Sequence, residues 1–335
     1  MEATSLTEDR LVQAIAGIVA STARGKKLRL GIGDDAAAWK AARSAESVIT
    51  TDALVENVHF LTDAMDASDV GWRALASNLS DIAAMGARPV LATVALGVPR
   101  SAQEGWILDC YRGMAELAKR TGVAIAGGDI VRAPALFVSM TVVGEVRPSN
   151  RKTRAGARPG DVFAVTGRLG ASRAGVELLM DRPDLAADPA FAAAVAAYRR
   201  PHARLREGLR LGGSTNVHAM MDISDGLSTD LRRMCAASGV GAVVHADQIP
   251  LAADAAAFAA KTRRDPMRYG LGGGEDFELL VAIAARAFRA VAAGFERWFK
   301  RPLYAVGTAT ANTNVVLHDA SGTRVLEPTG WESLA

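Results

Sequence analysis

Four times along this chain a short apolar run of strand-like composition is closed or followed by aspartate, and whatever fold it adopts must accommodate those carboxylates. Asp34 and Asp35 follow Leu30-Gly31-Ile32-Gly33, and Asp52 closes Val48-Ile49-Thr50-Thr51. Asp129 closes Ile125-Ala126-Gly127-Gly128, while Asp222 and Asp225 close and follow Met220-Met221. One aspartate at such a place is ordinary turn or cap chemistry. A fold that gathers four such strand ends creates a carboxylate cluster, whose like charges raise one another's pKa unless cations neutralise them. Hard oxygen donors suit Mg²⁺, which takes a few carboxylates and completes its shell with water and phosphate oxygens. Several Mg²⁺ ions holding a nucleoside triphosphate is the economical inference. Glycines beside several of these acids allow the close approach that a phosphate site requires.

The remaining pattern is mixed α/β. Ser5 and Glu8 form a capping box ahead of Leu11, Ile15, Ile18 and Val19, whose spacing predicts an amphipathic first helix. Strands are expected at 47–51, 90–96, 123–126 and 136–146. Between them lie a helix at 68–85, stopped by Gly86, and one opened by a Ser101–Glu104 capping box and stopped by Gly122. Asp81 sits on the first of these, with Ser77 and Asn78 a turn earlier on the same face. The basic, turn-rich stretch 148–159 reads as a boundary, giving domains 1–149 and 150–335. Beyond it come a strand at 162–166, alanine-rich helices over 171–212, a strand at 217–221 and a helix at 228–237. Strands at 242–246, 277–284, 303–308 and 315–318 follow.

Composition excludes several classes. Half of the 335 residues are hydrophobic, which rules out a disordered chain and supports two cores. A formal charge of +3 is too small an excess to imply a nucleic-acid partner. No apolar run approaches the ~20 residues of a membrane helix, and residues 1–10 carry Glu2, Glu8 and Asp9 where a signal peptide is basic. Cys110 and Cys235 fit neither a disulfide scaffold nor a metal module, so a cytoplasmic protein is expected.

A rival nucleotide motif is present. Gly31-Ile32-Gly33-Asp34-Asp35-Ala36 fits the dinucleotide fingerprint, and Asp52 stands about where its ribose-binding acid would be. Two aspartates in the turn would repel a pyrophosphate, however, and 37–47 is short for a crossover helix. There is no Walker-type P-loop and no zinc-hydrolase histidine pair. The arginines of 199–210 read as a solvated helix face, Arg154 as a phosphate contact, and Gly272-Gly273-Gly274-Glu275-Asp276-Phe277 as a loop inviting ligand approach.

Taken in order, several strings resemble the thiamine-monophosphate kinase family, within a superfamily that includes aminoimidazole ribonucleotide synthase. They are Gly31-Ile32-Gly33-Asp34-Asp35-Ala36, Thr50-Thr51-Asp52, Asn57-Val58-His59-Phe60 and Asn78-Leu79-Ser80-Asp81-Ile82-Ala83-Ala84-Met85-Gly86. Gly127-Gly128-Asp129, Asp222-Ile223-Ser224-Asp225-Gly226-Leu227 and Gly273-Gly274-Glu275-Asp276-Phe277 complete the set, with Phe277 where tyrosine is commoner. The resemblance implies an α/β (α+β), two-domain, aminoimidazole ribonucleotide synthase-like fold, in a homodimer whose N-terminal sheets join into a barrel. It implies transfer of a phosphoryl group from ATP, held between the domains, to thiamine monophosphate. By position, Asp35, Thr50, Thr51, Asp52, Asp81, Asp129, Asp222 and Asp225 would ligate Mg²⁺. Tyr111, Gly128, Asp129, Arg154 and Ser224 would contact ATP, and His59, Glu275 and Trp331 the thiamine phosphate.

The chemistry agrees. A phosphate monoester is mostly dianionic at pH 7 and needs no general base, so charge cancellation and alignment are what a site must supply. No Ser/His/Asp or Cys/His pair suggests a covalent intermediate. The alternatives are a superfamily enzyme with another acceptor and a non-catalytic thiamine-phosphate or nucleotide-binding regulator. Selenophosphate synthetases carry a reactive Cys or selenocysteine near the N-terminus and the hydrogenase maturation factor a cysteine tail, which this sequence lacks at both ends; so many like charges would serve a mere binder poorly.

Overall fold

The computed structural model, which describes residues 8–23 and 27–330, starts with the amphipathic helix α1 (Glu8–Val19). Leu11, Ile15 and Val19, four residues apart, form its buried stripe. Ser5 of the expected capping box lies outside the described residues. The chain divides into two units, one holding the described residues to Ile82 with Arg88–Arg147, the other Ala83–Ala87 with the described residues from Pro148 on.

In the first unit a short hairpin, β1 (Leu28–Leu30) and β2 (Ala38–Trp39), is followed by β3 (Glu46–Val55), α2 (Ala67–Ala84) and β4 (Arg88–Val98). Then come α3 (Glu104–Thr121), β5 (Ala124–Arg132) and β6 (Phe137–Val146). The sheet order is β3-β6-β4-β5. Only β4 and β5 are parallel, as the α3 crossover between them requires. Strand β6 alternates strictly between buried and half-buried residues, and β3 exposes Ser47, Ile49, Thr51 and Ala53 on one face. Trp72, Leu75, Leu79 and Ile82 of α2 are at most 2% exposed.

Two expectations change here. Asp52 and Asp129 lie inside strands rather than at their ends, because β6 pairs with β3 from Glu46 to Val55 and β4 pairs with β5 on to Arg132. The segment after Gly31–Ala36 forms the antiparallel partner strand β2 and no crossover helix, in keeping with the argument against the dinucleotide reading. Helix α3 is capped at Gln103 without a side-chain bond, so Ser101 does not form its capping box; it does stop at Gly122, whose φ of 81° suits glycine.

The second unit runs β7 (Val162–Val165), α4 (Ala171–Asp181), α5 (Pro183–Ala186), α6 (Ala192–Arg199), α7 (Leu205–Gly212) and β8 (Val217–Asp222). It continues with α8 (Leu227–Ser238), β9 (Gly241–His245), α9 (Ala253–Thr262), α10 (Met267–Gly272) and β10 (Leu279–Ile283). It closes with α11 (Ala285–Phe299), β11 (Tyr304–Thr310), β12 (Val315–Asp319) and β13 (Gly322–Val325). The seven strands lie in the order β13-β12-β9-β11-β7-β10-β8, parallel only between β9 and β12. Both faces are covered, and β10 shows it. Leu280 and Ala282 pack with Leu227, Leu231 and Met234 of α8, whereas Leu279, Val281 and Ile283 pack with Leu211 and Phe295. Such two-sided burial explains why β10 is apolar at every position.

The arginines of 199–210 form a solvated face only in part: Arg206 and Arg210 are exposed, whereas Arg204 turns inward. Arg204 grips buried Glu278 with two bonds of 2.5 and 2.9 Å, and Arg210 lies 5.2 Å over the Trp298 ring. Both cysteines are free and buried, and burial pushes each thiol up to about 12. Among the described residues no helix is long and apolar enough to cross a membrane.

Candidate active site

In the first unit a cleft of about 880 Å³ opens between α1, the β1–β2 hairpin loop, Tyr111 of α3 and the glycine-rich stretch of β5. It brings together four of the residues singled out from sequence: Asp35, Tyr111, Gly128 and Asp129. Asp35 and Asp129 are exposed, and the Asp35 N–H donates to Asp34 Oδ1 at 2.8 Å, which fixes the acidic turn. Tyr111 is 3% exposed; burial, with a contribution from Cys110, raises its hydroxyl pKa, so it stays a neutral phenol. The cleft thus has carboxylates on its open side and an apolar wall from Val12 and Ile15.

Other predicted residues of this unit lie off that cleft. Thr50 donates its hydroxyl to Asp81 of α2, and Asp52, two residues on, shares Thr50's side of β3. Thr51 is on the opposite side, its hydroxyl donating to the Met140 carbonyl at 3.0 Å and accepting from Thr141 at 3.3 Å. His59 sits on the turn after β3, where its Nδ1 accepts the Val55 N–H at 3.2 Å. Phe60 beside it is buried and stacks on Trp106 at 6.3 Å.

In the second unit two motif loops are laced together. Ile223 N–H donates to Glu278 O at 2.8 Å, Phe277 N–H to Ile223 O at 3.0 Å and Glu275 N–H to Ser224 O at 2.7 Å. These bonds set Asp222, Ser224 and Asp225 beside Glu275. Glu275 and Phe277 both have positive φ, 63° and 50°. A non-glycine residue held there costs about 1–3 kcal/mol, a strain that concentrates at functional sites. Between them the Asp276 carboxylate accepts the N–H groups of Gly170 (2.6 Å) and Ser172 (3.2 Å) at the start of α4, with burial raising its pKa to about 7.

The 224–226 loop has its own support. Asp230, which sequence reasoning passed over, accepts three consecutive backbone N–H groups from it, and Arg233 bridges Asp225 and Asp230. Burial and then Asp225 raise the Asp230 carboxyl to about 6. The available signal was an acid one helical turn into the segment after Asp225-Gly226. Arg154 is exposed, with its carbonyl accepting the Ser238 hydroxyl at 3.1 Å. Thr329 and Gly330 donate their N–H groups to Ser228 Oγ and Thr229 Oγ1, at the start of α8; Trp331 lies outside the described residues.

Among the described residues, no three His, Cys, Asp or Glu side chains gather closely enough to hold a metal by themselves. The donor chemistry still fits Mg²⁺, which binds through one or two carboxylates with water and phosphate oxygens, and Asp35 and Asp129 offer two on one cleft.

Residues 33–146 match the AIR synthase related protein N-terminal domain, and residues 158–320 its C-terminal domain. A thiamine-monophosphate kinase of Rhodopirellula baltica is 37% identical over 266 residues, 77% of this chain and 77% of its own. The crystal structure of thiamine-monophosphate kinase from Stenotrophomonas maltophilia aligns with a TM-score of 0.83 at 35% identity, covering 91% of this chain and 95% of that one. AaThiL complexed with AMPPCP and TMP aligns at 0.77 and 29% identity, over 99% of this chain and 98% of its own.

Proposed function

Because the chain belongs to the thiamine-monophosphate kinase family of AIR synthase related proteins, we propose that it transfers the γ-phosphoryl group of ATP to thiamine monophosphate, giving thiamine diphosphate and ADP. The observation that carries this reading is its likeness, over nearly the whole chain, to a protein solved with an ATP analogue and TMP. The residues support it. The acidic turn at Asp34-Asp35 and Asp129 line one cleft, and Ser224, Asp225 and Glu275 are held together by backbone bonds.

In this reading Gly128 and Tyr111 meet ATP in the cleft, with the buried Tyr111 phenol as a hydrogen-bond donor. Arg154 and the Ser224 hydroxyl also take phosphate oxygens, while His59, Glu275 and Trp331 take thiamine monophosphate. Asp35, Thr50, Thr51, Asp52, Asp81, Asp129, Asp222 and Asp225 are the Mg²⁺ donors. When bound, Mg²⁺ supplies the charge cancellation that lets two anionic phosphates approach. No residue has to remove a proton, because the acceptor phosphate is already largely dianionic at pH 7. The chain's work is therefore alignment, so the phosphoryl group passes directly between substrates.

A homodimer belongs to the same proposal. Ile49, in mid-strand on the exposed face of β3, is 71% exposed, and Val131 on β5 is 42% exposed. Paired sheet faces would bury them. Residence in the cytoplasm, where ATP is supplied, and no nucleic-acid or membrane partner complete it.

The test is an acceptor panel of thiamine monophosphate, free thiamine and aminoimidazole precursors with MgATP. Thiamine diphosphate formed from thiamine monophosphate alone is expected; product only from another acceptor would overturn the assignment.

A further inference from the structure

Asp230 stands on the first turn of α8 with its side chain fully buried. Its Oδ2 accepts the N–H groups of Ser224, Asp225 and Gly226 at 3.1, 3.0 and 3.1 Å. Its other oxygen accepts from Arg233 Nη1 at 3.0 Å, and that same nitrogen reaches Asp225 Oδ2. Three consecutive amides converging on one point form the concave arrangement that in other proteins binds a phosphate. In this chain an internal carboxylate fills it. The amides of 224–226 are therefore already paired within the chain, which leaves the Ser224 hydroxyl and the Asp225 carboxylate as the loop's offering to a ligand.

We propose that Asp230 is a positioning residue for phosphoryl transfer: it sets the conformation of the 224–226 loop and, through Arg233, the placement of the Asp225 carboxylate. The inference rests on the kinase reading above. It follows from an asymmetry in the contacts. A carboxylate that served only to start α8 would reach back to the N-cap amide of Gly226, whereas Asp230 also accepts the amides of Ser224 and Asp225, further back in the loop. The loop's carbonyls, in turn, hold the Glu275 segment through Glu275 N–H to Ser224 O and Phe277 N–H to Ile223 O. A shift of 224–226 would thus carry both motif loops.

Asp230→Asn keeps the shape but turns an NH₂ group either toward the three amides or toward the Arg233 cation. The test measures AMPPCP binding to the full chain by calorimetry across a Mg²⁺ titration, together with thermal melting. Asp230→Asn is expected to melt cooperatively, yet bind AMPPCP about tenfold more weakly and need several-fold more Mg²⁺, the scale set by leaving buried donors poorly paired. Asp225→Asn should weaken binding comparably, and the double variant should be little worse than the worse single, since both act through one loop. Binding and Mg²⁺ dependence within twofold of wild type in Asp230→Asn, or fully additive losses in the double variant, would overturn the proposal. Should Asp230→Asn fail to melt cooperatively, Arg233→Ala decides: a weaker Mg²⁺ response supports the relay and an unchanged one refutes it. Because these readouts follow nucleotide binding, a wild-type protein that bound AMPPCP but left thiamine monophosphate unphosphorylated would sink the kinase reading separately.

Discussion

Alanine at Gly128 separates two reasons for a glycine in the cleft, ligand approach and strand packing. Gly128 pairs in parallel register with Val94 of β4. A Cβ at Gly128 would fall onto the Val94 carbonyl oxygen, 2.9 Å from its carbon and 3.1 Å from the Val94 nitrogen. The adjacent Gly127 would meet nothing within 4 Å. Comfortable separations between non-bonded carbons are about 3.5–4.0 Å, so β5 must withdraw from β4 by roughly 1 Å. The obstacle is backbone, so no rotamer change relieves it. Overpacking of this kind costs about 1–3 kcal/mol. At about 2–4 °C per kcal/mol for a domain of this size, Gly128→Ala should melt about 2–12 °C lower. The withdrawal carries Asp129 with it, and a misplacement of about 1 Å is worth about 10²-fold in turnover. Gly127→Ala should stay within about 0.5 kcal/mol of wild type. Melting curves and thiamine monophosphate phosphorylation on the two variants provide the check. Equal effects at both positions, or a Gly128→Ala protein with wild-type melting, would refute the packing argument.

Two further outcomes are expected. Glu177, 4% exposed, carries the cost of burial, but bonds from Tyr269, Arg173 and Arg264 outweigh it and hold its carboxyl below the usual range. A lowered pKa means the stabilisation is complete above about pH 4.5 and is lost as pH falls through the folded value; Glu177→Gln should lose about 3–5 kcal/mol in neutral urea titrations and flatten the acid limb, and an unchanged midpoint would show the cluster to be idle. Ile49→Asp should shift the sedimenting species from dimer to monomer without lowering the cooperativity of melting; a wild-type monomer, or an unaffected dimer, would remove that face from the interface.

Much of the fold was legible because its periodicities are strong. Leu11, Ile15 and Val19 of α1 and the strict alternation of β6 have the periods of helix and strand, and both form as expected. Helix α11 was also legible and went unread: Phe288, Val291, Ala292, Phe295 and Phe299 share one face, and the structure packs them with Leu279 and Val281. The extents of β3 and β5 were not legible. Asp52 and Asp129 look like strand terminators, yet pairing with β6 and β4 carries the strands past them, a tertiary choice that local propensity does not contain. At the candidate site, sequence marked the acids that line the cleft and the motif loops and missed Asp230, which faces its own backbone. The difference between those two kinds of aspartate lies in which N–H groups reach them, and that is settled only when the loop closes. Arg204 was misread for the same reason, since its partner Glu278 is 74 residues away.

The central claim is transfer of the γ-phosphoryl group of ATP to thiamine monophosphate. Phosphorus NMR of the protein incubated with thiamine monophosphate and ATP carrying ¹⁸O on its γ-phosphorus tests it most directly. The account predicts ¹⁸O on the terminal phosphorus of thiamine diphosphate, formed in step with ADP. Label appearing only in inorganic phosphate, or ADP forming without thiamine diphosphate, would contradict it.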